Sequence, residues 1–423
     1  MGRMNQNNSI LIKNVQLNGK STDIYIEDNI IAEIGKRMEA DHTINAEGKV
    51  ALPGLINTHT HSAMTLLRGY ADDLKLDEWL QKKIWPFEAR LNEEHVYWGS
   101  KLACLEMIKS GTTCFNDMYW HMKGTARAVE EMGIRAVLAE AFIDLFDDEM
   151  MENSIKRTED FIRYVKNLKN SKITPALGPH AVYTVSEDGL KWISEYSREN
   201  NLLIHFHLAE TKKEIRDCRG RYGKSPVKFL NEIEFLSENL ISAHSIWLSE
   251  SEIRILAEKN VKVSHNPVSN MKLSSGFMPY SLMRKYNLLI SLGTDGCASN
   301  NNLDMFESMK IAAIGHKLVG NDPRLMTARE IFDIATINGA ISLGINAGRI
   351  CEGRLADLIL IDPKRPEFTP GYDLISDLVY AANGYCVDTV ICDGKILMEN
   401  REVRNENEII EGVKRVVNEI IGK

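Results

Sequence analysis

The sequence predicts an α/β fold: a (β/α)8 TIM barrel with a small β-sandwich domain built from both chain termini. Eight short apolar runs, each followed by a helix-length amphipathic segment, fill residues 54–356, and this alternation is typical of a parallel barrel. Strand-like runs precede that region and return after it, which indicates one further domain shared by the termini. The length of 423 residues suits a large barrel plus a smaller domain.

Residues 1–53 are predicted to form the N-terminal part of the small β-domain. Their β-branched runs are separated by the turn residues Gly19, Asn29 and Gly48, as expected of short strands joined by tight connections. The runs that carry this prediction are "SILIKNVQL", "TDIYIEDNIIAEIG" and "KVALPG".

Residues 54–356 are predicted to form the barrel. Its strands are expected in "GLINTHTH", "TTCFNDM", "RAVLAEAF", "ITPALGPH", "LLIHFHL", "LISAHS", "VKVSHNP" and "LLISLGTDG". Intervening segments such as "VYWGSKLACLEMIKSG" show the 3.6-residue apolar spacing of helices. A doubly wound open sheet is the competing architecture, and it is disfavoured because no Gly-x-Gly-x-x-Gly turn follows any run.

Residues 357–423 are predicted to complete the small domain with further strands and a terminal helix. The strand rhythm returns in "CVDTVICDGKILMENREV". The final segment, "ENEIIEGVKRVVNEII", groups its apolar residues on one side, as an amphipathic helix does. We expect that side to pack on the small domain.

The composition excludes several classes of partner. A net charge of −8 argues against nucleic-acid binding, which usually needs a basic surface, and no apolar run reaches the roughly 18 residues of a membrane span. The start, "MGRMNQNNS", has no apolar leader region. Seven cysteines without a Cys-x-x-Cys pair indicate reduced thiols rather than a disulfide framework or a cysteine zinc site.

We expect a cytoplasmic homo-oligomer that acts on a small molecule.

Polar residues cluster where the predicted strands end. Catalytic groups of such a barrel lie at the C-terminal ends of its strands, and positions two apart on a strand share a face. A lone His-x-His pair is more often two polar residues at a strand end, but histidines at five strand ends of one sheet predict a single site. Those histidines are His59, His61, His180, His205, His207, His244 and His265, and the eighth run ends in Asp295.

Four of these side chains are predicted to bind a metal. Three imidazoles and one carboxylate suit zinc, or iron(II), and leave room for a water whose pKa the metal would lower. The predicted ligands of one Zn²⁺ per subunit (alternatively Fe²⁺) are His59, His61, His207 and Asp295. No lysine lies inside the fourth run to bridge a second metal, since Lys172 precedes it, so we expect one ion.

The choice of His207 over His205 depends on the residues downstream of the pair. Both share a strand face, so strand parity leaves either one open as the ligand. Glu210 lies three residues beyond His207, at a suitable distance for a proton shuttle, which favours His207. The alternative interpretation of Glu210 is a carboxylate that complements the dipole at the start of the next helix.

These motifs resemble those of the amidohydrolase superfamily, and most closely its branch of 5′-methylthioadenosine/S-adenosylhomocysteine deaminases. The resemblance extends over nearly the whole chain. The motifs that carry it are "LPGLINTHTHSAM", "GTTCFNDMY", "GPHAVYTVSE", "HFHLAET", "AHSIWLSESEI", "VSHNPVSNMKLSSG", "GTDGCASNNNLDMFESM" and "EGRLADLILID".

The resemblance implies hydrolytic deamination of adenine nucleosides to the inosine-type product and ammonia, by attack of metal-bound hydroxide at C6. The implied substrates are 5′-methylthioadenosine, 5′-deoxyadenosine, adenosine and S-adenosylhomocysteine, and the implied cofactor is a single zinc on the four ligands above. Glu210 resembles the residue that protonates the purine ring nitrogen. His244 resembles the residue that activates the metal-bound water together with Asp295.

Three substrate contacts are implied by the resemblance alone. His180 resembles a substrate-contacting histidine. Glu88, in "WPFEARL", resembles the carboxylate that binds the ribose hydroxyls, although its sequence context by itself would indicate a solvated helix charge. Ser299 falls on a position that faces the site.

The long segment between the first predicted strand and Glu88 is rich in Trp and Leu. We expect it to form a wall over the substrate, with Trp79 or Trp85 as an apolar contact. The alternative for both tryptophans is ordinary core packing. Asn266 and Asn270, beyond the seventh run, are expected to shape a loop or to support the site.

The stretch after the third run departs from the pattern of the branch. Some members carry arginines there that would meet a carboxylate tail on the substrate, but no arginine lies between Arg135 and Arg157. We therefore expect an acidic rim that repels the homocysteine carboxylate, and weaker use of S-adenosylhomocysteine than of the other three nucleosides. The carboxylates of this stretch are Glu140, Asp144, Asp147, Asp148, Glu149 and Glu152.

Two other functions are compatible with the sequence. The first is a superfamily member acting on a free base or a triazine, of the guanine or cytosine deaminase or chlorohydrolase type. Glu88 distinguishes it, because a free base has no ribose to hold. The second is a catalytically inactive barrel relative used for binding, which metal analysis would distinguish because such relatives lose ligands.

Overall fold

The computed structural model describes residues 9–36, 38–74 and 76–422. Residues 1–8, in which the sequence predicts no leader, lie outside this part. Eight parallel strands form a nearly closed barrel, and eight further strands from both termini form a second sheet. The predicted fold class, a TIM barrel with a small terminal β-domain, is confirmed. Among the described residues, no helix combines the length and apolar character needed to cross a membrane.

In the small domain, the first N-terminal strand pairs with three of the other four. It pairs antiparallel with the second and parallel with the fourth and fifth. The strands are β1 (Ser9–Leu17), β2 (Lys20–Glu27), β3 (Ile30–Ile34), β4 (His42–Asn45) and β5 (Val50–Pro53). The sequence did not predict β4, because only Ile44 in it is buried and four residues carry no alternating pattern.

The eight predicted barrel runs all form strands. They pair parallel in chain order, and the backbone N–H of Asp295 closes the barrel by donating to the His59 carbonyl at 2.9 Å. The strands are β6 (Leu55–Thr60), β7 (Thr112–Tyr119), β8 (Arg135–Phe142), β9 (Ile173–Pro179), β10 (Ile204–Leu208), β11 (Leu240–His244), β12 (Lys262–His265) and β13 (Ile290–Leu292). Most are buried on both faces, as strands enclosed by an outer layer of helices must be.

The chain returns to the small sheet after the barrel. Its last strands are β14 (Leu358–Ile361), β15 (Val387–Cys392) and β16 (Lys395–Met398). β14 pairs antiparallel with both β5 and β15, and so joins the two termini. Sheet membership changes between Pro53 and Leu55 and again before Leu358. For that reason we propose a barrel domain of residues 54–356 and one small β-domain, whose two parts are residues 1–53 and residues 357–423 with the terminal helix.

Helices connect the barrel strands and cover them from outside. They are α1 (Leu76–Trp79), α2 (Trp85–Glu88), α3 (Glu93–Lys109), α4 (Met122–Met132), α5 (Asp148–Leu168), α6 (Glu187–Asn200), α7 (Lys212–Tyr222), α8 (Pro226–Glu232), α9 (Glu250–Glu258), α10 (Pro267–Lys272), α11 (Tyr280–Lys285), α12 (Met305–Gly320), α13 (Ala328–Ala335), α14 (Ile337–Leu343), α15 (Leu374–Tyr380) and α16 (Glu406–Ile421). A π-helical turn, Leu80–Ile84, joins α1 to α2. Several of the βα helices begin at a Ser or Thr N-cap, such as Thr211 before α7 and Ser249 before α9.

The terminal helix α16 packs on α3 of the barrel, so the prediction that it packs on the small domain is wrong. Its apolar residues Val413 and Val416 belong to the same cluster as the barrel helices. At Gly412 the two helices approach so closely that an added Cβ would lie 2.2 Å from the Trp98 ring. The amphipathic pattern of α16 identifies its buried face, but it does not identify the element that covers that face.

A buried ion cluster joins the N-terminal end of the barrel to the small sheet. Arg135 Nε lies 2.9 Å from Asp357 Oδ2, and Arg135 Nη2 lies 2.9 Å from Asp393 Oδ1. Lys172 Nζ lies 3.8 Å from Asp393 Oδ2. This lysine therefore faces the end of the barrel opposite to the strand-end histidines, where it cannot bridge two metals.

Candidate active site

The strand ends of β6 and β10 and the loop after β13 bring four side chains together. His207 Nε2 lies 3.3 Å from His61 Nε2. Asp295 Oδ1 lies 3.5 Å from His59 Nε2 and 3.4 Å from His61 Nε2. The ligand atoms of the three histidines all lie within 4.8 Å of one another. The four predicted metal ligands thus face one point at the C-terminal mouth of the barrel.

Backbone carbonyls determine the tautomers of two of these histidines. His61 Nδ1 lies 2.6 Å from the Met118 carbonyl oxygen, and His207 Nδ1 lies 2.9 Å from the His180 carbonyl oxygen. A carbonyl oxygen only accepts hydrogen bonds, so each Nδ1 carries the hydrogen. Each Nε2 is then left with a lone pair directed toward the shared point, as metal ligation requires.

His59 supplies the clearest sign that the site is built for an ion. Its Nε2 is buried and has no hydrogen-bond partner among the described residues, which is costly unless another group satisfies it. Burial lowers the pKa of His59 to about 4, so the ring is neutral near pH 7. His59 Nδ1 lies 2.6 Å from His205 Nε2. His205 therefore lies behind the predicted ligand His59, while His207 lies among the other predicted ligands.

Asp295 is fixed by the backbone and by a neighbouring hydroxyl. Its backbone has a positive φ of 63°, and Ser269 Oγ donates to its Oδ2 at 2.6 Å. Burial acts to raise the pKa of Asp295, but the imidazoles around it, His59 first and then His61 and His244, outweigh burial and hold that pKa well below its usual range. The carboxylate is ionised and its Oδ1 faces the imidazoles.

Three imidazole nitrogens and one carboxylate oxygen fit a divalent metal ion of borderline softness. The residues that would hold it are His59, His61, His207 and Asp295. When bound there, such an ion lowers the pKa of a water molecule and supplies hydroxide near neutral pH.

Glu210 and His244 lie beside this set. Glu210 Oε1 accepts a hydrogen bond from Ser275 Oγ at 3.1 Å, and its Oε2 lies 3.8 Å from His244 Nε2. His244 Nδ1 lies 2.7 Å from Asn270 Oδ1, an acceptor, so Nδ1 carries the hydrogen. Burial acts to lower the pKa of His244, but the charges of Glu210 and Asp295 outweigh it and raise that pKa. The pair can exchange a proton with a molecule bound between them.

The three substrate contacts implied by the resemblance are buried or half-buried and line the same cavity. His180 Nδ1 lies 2.9 Å from Thr184 Oγ1, and burial lowers the pKa of His180 to about 3, which keeps the ring neutral. Glu88 Oε1 accepts from the Tyr119 hydroxyl at 2.7 Å, and burial raises the pKa of Glu88. Ser299 is buried and also lines the cavity.

The cavity is otherwise largely apolar. The π-helical turn and its flanking helices supply one wall, and both Trp79 and Trp85 lie in it. Trp79 is also buried against the core, whereas Trp85 is half exposed. Further apolar residues of the cavity are Met64, Leu80, Ile84, Met118, Trp120, Ala141, Ile143 and Leu273. Such a lining suits a flat aromatic ligand with few charges.

Several residues of the site escaped the sequence reasoning. Tyr119 is the last residue of β7. Its place at a strand end is the sequence signal that could have identified it, because the strand ends carry the other polar residues of the site. Ser269 and Ser275 lie in or beyond the short helix after β12, where nothing in the sequence marks them. Asn270 has the supporting role expected of it through His244, whereas His265 pairs with His316 at 3.1 Å (Nε2 to Nε2) and takes no part in the ligand set.

The expected acidic rim is smaller than its sequence indicates. Glu140 accepts hydrogen bonds from the backbone N–H groups of His121 and Met122 at the start of α4, and Asp144 accepts from Ser186. Asp147 caps α5. Four carboxylates of the stretch are exposed, namely Asp147, Asp148, Glu149 and Glu152. Of these, Glu152 pairs with Lys156, whose Nζ lies 3.8 Å from Glu152 Oε2. Arg157 lines a side pocket that adjoins the main cavity at Trp85 and Glu88.

The chain resembles known enzymes over nearly its whole length. The Amidohydrolase family model matches residues 50–397. A 5′-deoxyadenosine deaminase of Methanoregula boonei is 49% identical over 412 residues, covering 96% of this chain and 93% of that protein. A 5-methylthioadenosine/S-adenosylhomocysteine deaminase 1 of Archaeoglobus fulgidus is 47% identical over 422 residues, covering 98% and 99%. A crystal structure of a zinc-bound adenosine deaminase from Xanthomonas campestris superposes with a TM-score of 0.93 at 32% identity, covering 98% and 99% of the two chains. This chain belongs to the amidohydrolase family.

Proposed function

We propose that this chain is a metal-dependent hydrolase that deaminates adenine nucleosides, with 5′-deoxyadenosine, 5′-methylthioadenosine and adenosine as its best substrates. The observation that carries the proposal is the convergence of three histidine Nε2 atoms and Asp295 beside Glu210 in one apolar cavity. The names of relatives at 47 and 49% identity agree with it.

The protein side chains have distinct proposed roles in this reaction. Water contributes a new C6–O bond to the purine, the C6–N bond breaks, and ammonia leaves. Glu210 donates a proton to the ring nitrogen next to C6, so that the ring can accept the electrons of the attacking oxygen, and it regains a proton when the new C6 hydroxyl becomes the C6 carbonyl. His244 and Asp295 accept the proton of the attacking water, which then goes to the departing amine.

The nucleoside is held by polar groups at the cavity wall. Glu88 is proposed to accept hydrogen bonds from the ribose hydroxyls, and the Tyr119 hydroxyl already orients its carboxylate. His180, neutral at pH 7, is proposed to contact the substrate through the nitrogen not engaged by Thr184. Ser299 is proposed as a further contact. Trp85 covers the site from the solvent side.

The metal is proposed to be one Zn²⁺ per subunit, with Fe²⁺ as the alternative, on His59, His61, His207 and Asp295. The nitrogen-rich ligand set favours either ion over Mg²⁺ or Ca²⁺. A zinc ion is present in the related adenosine deaminase structure. The two ions are distinguished by elemental analysis of protein purified without added metal and without oxygen.

The substrate preference is tested by comparing kcat/KM for four nucleosides. Four exposed carboxylates lie at residues 147–152, and Met150 of the same stretch lines the side pocket. We therefore expect S-adenosylhomocysteine to be used less well than 5′-deoxyadenosine, 5′-methylthioadenosine or adenosine. Arg157 lines the same side pocket, and its positive charge would attract the homocysteine carboxylate that these acidic residues repel. The expectation is wrong if S-adenosylhomocysteine is preferred by about tenfold or more, equivalent to about 1.4 kcal/mol. Absence of ammonia release from all four would contradict the function itself.

Two further properties are proposed from the sequence. A cytoplasmic location agrees with cysteines that are all free in the described part of the chain. A homo-oligomer is proposed as well, and sedimentation velocity measures it directly. Neither property alters the proposed chemistry.

A further inference from the structure

The turn that carries Glu210 is held in an unfavourable backbone conformation. β10 ends at Leu208 and α7 begins after the N-cap Thr211, so three residues make the connection. Ala209 has a positive φ of 52°, a region that non-glycine residues enter at a cost of about 1 kcal/mol or more. Such a conformation persists only where surrounding groups fix it.

Glu214 is the group that fixes this turn. Its Oε1 accepts the backbone N–H of Ala209 at 2.8 Å, and its Oε2 accepts the backbone N–H of Glu210 at 2.9 Å. The Ala209 carbonyl is held from the other side, since it accepts the backbone N–H of Trp247 at 2.9 Å. The backbone N–H and the backbone carbonyl of Ala209 are therefore both hydrogen-bonded.

This use of a glutamate differs from ordinary helix capping. Thr211 and Glu214 have the spacing of a capping box, and Thr211 Oγ1 does accept the Glu214 N–H at 3.1 Å. In a complete box the glutamate accepts the N–H of the N-cap residue, as Glu252 does with Ser249 at 2.7 Å in α9. Glu214 instead extends past its N-cap to the two residues before it.

Placing a carboxylate here has a cost. Glu214 is only 3% exposed, and burial raises its pKa to about 7. Each oxygen is nevertheless matched by a backbone donor, as a buried carboxylate requires. Glutamine could not form the same two hydrogen bonds, because it has one acceptor oxygen and its amide group would face an N–H.

We propose that Glu214 is a positioning residue that aims Glu210 at the substrate. This rests on the proposed role of Glu210 as the proton donor to the purine ring. Glu214 fixes the backbone at Glu210, while Ser275 holds one oxygen of its carboxylate. A proton donor must lie within hydrogen-bond reach of its target, and a displacement of about 1 Å can reduce the rate roughly 100-fold.

The kinetic test is a double-mutant cycle of Glu214→Gln and Glu210→Gln. We expect Glu214→Gln to lower kcat by about tenfold or more while the bound metal per chain stays at the wild-type value. In the Glu210→Gln background the same substitution should change the residual kcat by less than about twofold, since there is no proton donor left to aim. Glu252→Gln, at the matched helix position of α9, is the control and should keep wild-type kcat.

A crystal structure of Glu214→Gln tests the same proposal without activity. We expect the turn at residues 209–210 to change conformation and the Glu210 carboxylate to move, while His207 stays in place. An unmoved Glu210, or an equal loss of kcat in both backgrounds, would overturn the proposal. If the wild-type protein releases no ammonia from adenine nucleosides, the proposed function fails, and the crystal structure still decides whether Glu214 sets the position of Glu210.

Discussion

His205 and His207 lie two residues apart on β10, yet their rings have different surroundings. His207 Nε2 faces the other predicted ligands, whereas His205 Nε2 lies 2.6 Å from Nδ1 of the predicted ligand His59. We expect His207→Ala to lose the metal. His205→Ala should keep it with an affinity lower by about 10- to 100-fold, the usual effect of removing a group that orients a ligand. Metal content after dialysis against graded chelator concentrations measures both.

His42 provides the matched control for these two variants. His42 is exposed and lies on β4, in the small sheet rather than in the barrel. His42→Ala should therefore bind metal as the wild type does. If His205→Ala loses metal as completely as His207→Ala, then both histidines are ligands and the assignment of His207 alone is wrong.

Glu88 is proposed to separate nucleosides from free bases. Its carboxylate is oriented by Tyr119 and lines the cavity. Replacing it with alanine should lower kcat/KM for adenosine by about 10- to 100-fold, the value of one or two hydrogen bonds to a charged group. The activity on adenine should change little. An equal loss on adenosine and adenine would instead favour a hydrolase of free bases.

The sequence does not show which hydrogen-bond partners its charged residues have in the folded chain. Glu140 and Asp144 belong to a run of carboxylates that predicts an acidic rim, but both accept backbone hydrogen bonds in the folded chain. Glu214 has the spacing of a capping box and forms a different set of bonds. These pairings depend on proximity created by the fold, and local spacing does not encode it.

The barrel strands were predictable because each is a short run rich in apolar residues, and six of the eight runs end in His or Asp. Burial on both faces favours apolar residues in such strands, and catalytic groups of a barrel lie at the C-terminal ends. The predicted ligands follow from the same pattern. β4 could not, because four residues with one buried side chain carry no periodic pattern. The partner of α16 could not either, since amphipathicity defines only a face.

Two helical glycines should respond to alanine in opposite ways. At Gly412 in α16, a new Cβ would meet the Trp98 ring at 2.2 Å, whereas at Gly220 in α7 nothing lies within 4 Å. Gly412→Ala should destabilise the protein by about 1 to 3 kcal/mol through overpacking. Gly220→Ala should stabilise it by about 0.5 to 1 kcal/mol through helix propensity. Thermal unfolding distinguishes them, and a stabilised Gly412→Ala would contradict the close packing of α16 on α3.

The two domains are held together by charges as well as by apolar contact. Arg135 is buried between Asp357 and Asp393. Its removal leaves Asp357 without a cation and leaves Asp393 with only Lys172, 3.8 Å away. We expect Arg135→Met to destabilise the protein by about 3 to 5 kcal/mol. Arg163, whose ion pair with Asp160 is exposed, is the control, and Arg163→Met should unfold at the wild-type temperature. If Arg135→Met and Arg163→Met both unfold at the wild-type temperature, the ion cluster around Arg135 does not hold the two domains together.

The most direct test of the proposed chemistry is ammonia release from 5′-deoxyadenosine by the purified protein in three states: as isolated, stripped by a chelator, and reloaded with Zn²⁺ or Fe²⁺. The ligand set and Glu210 predict that the isolated protein releases ammonia, that the stripped protein does not, and that reloading one equivalent restores the rate. A folded, metal-loaded protein that releases no ammonia from this or any other adenine nucleoside would contradict the proposed function. Full activity without metal would contradict it equally.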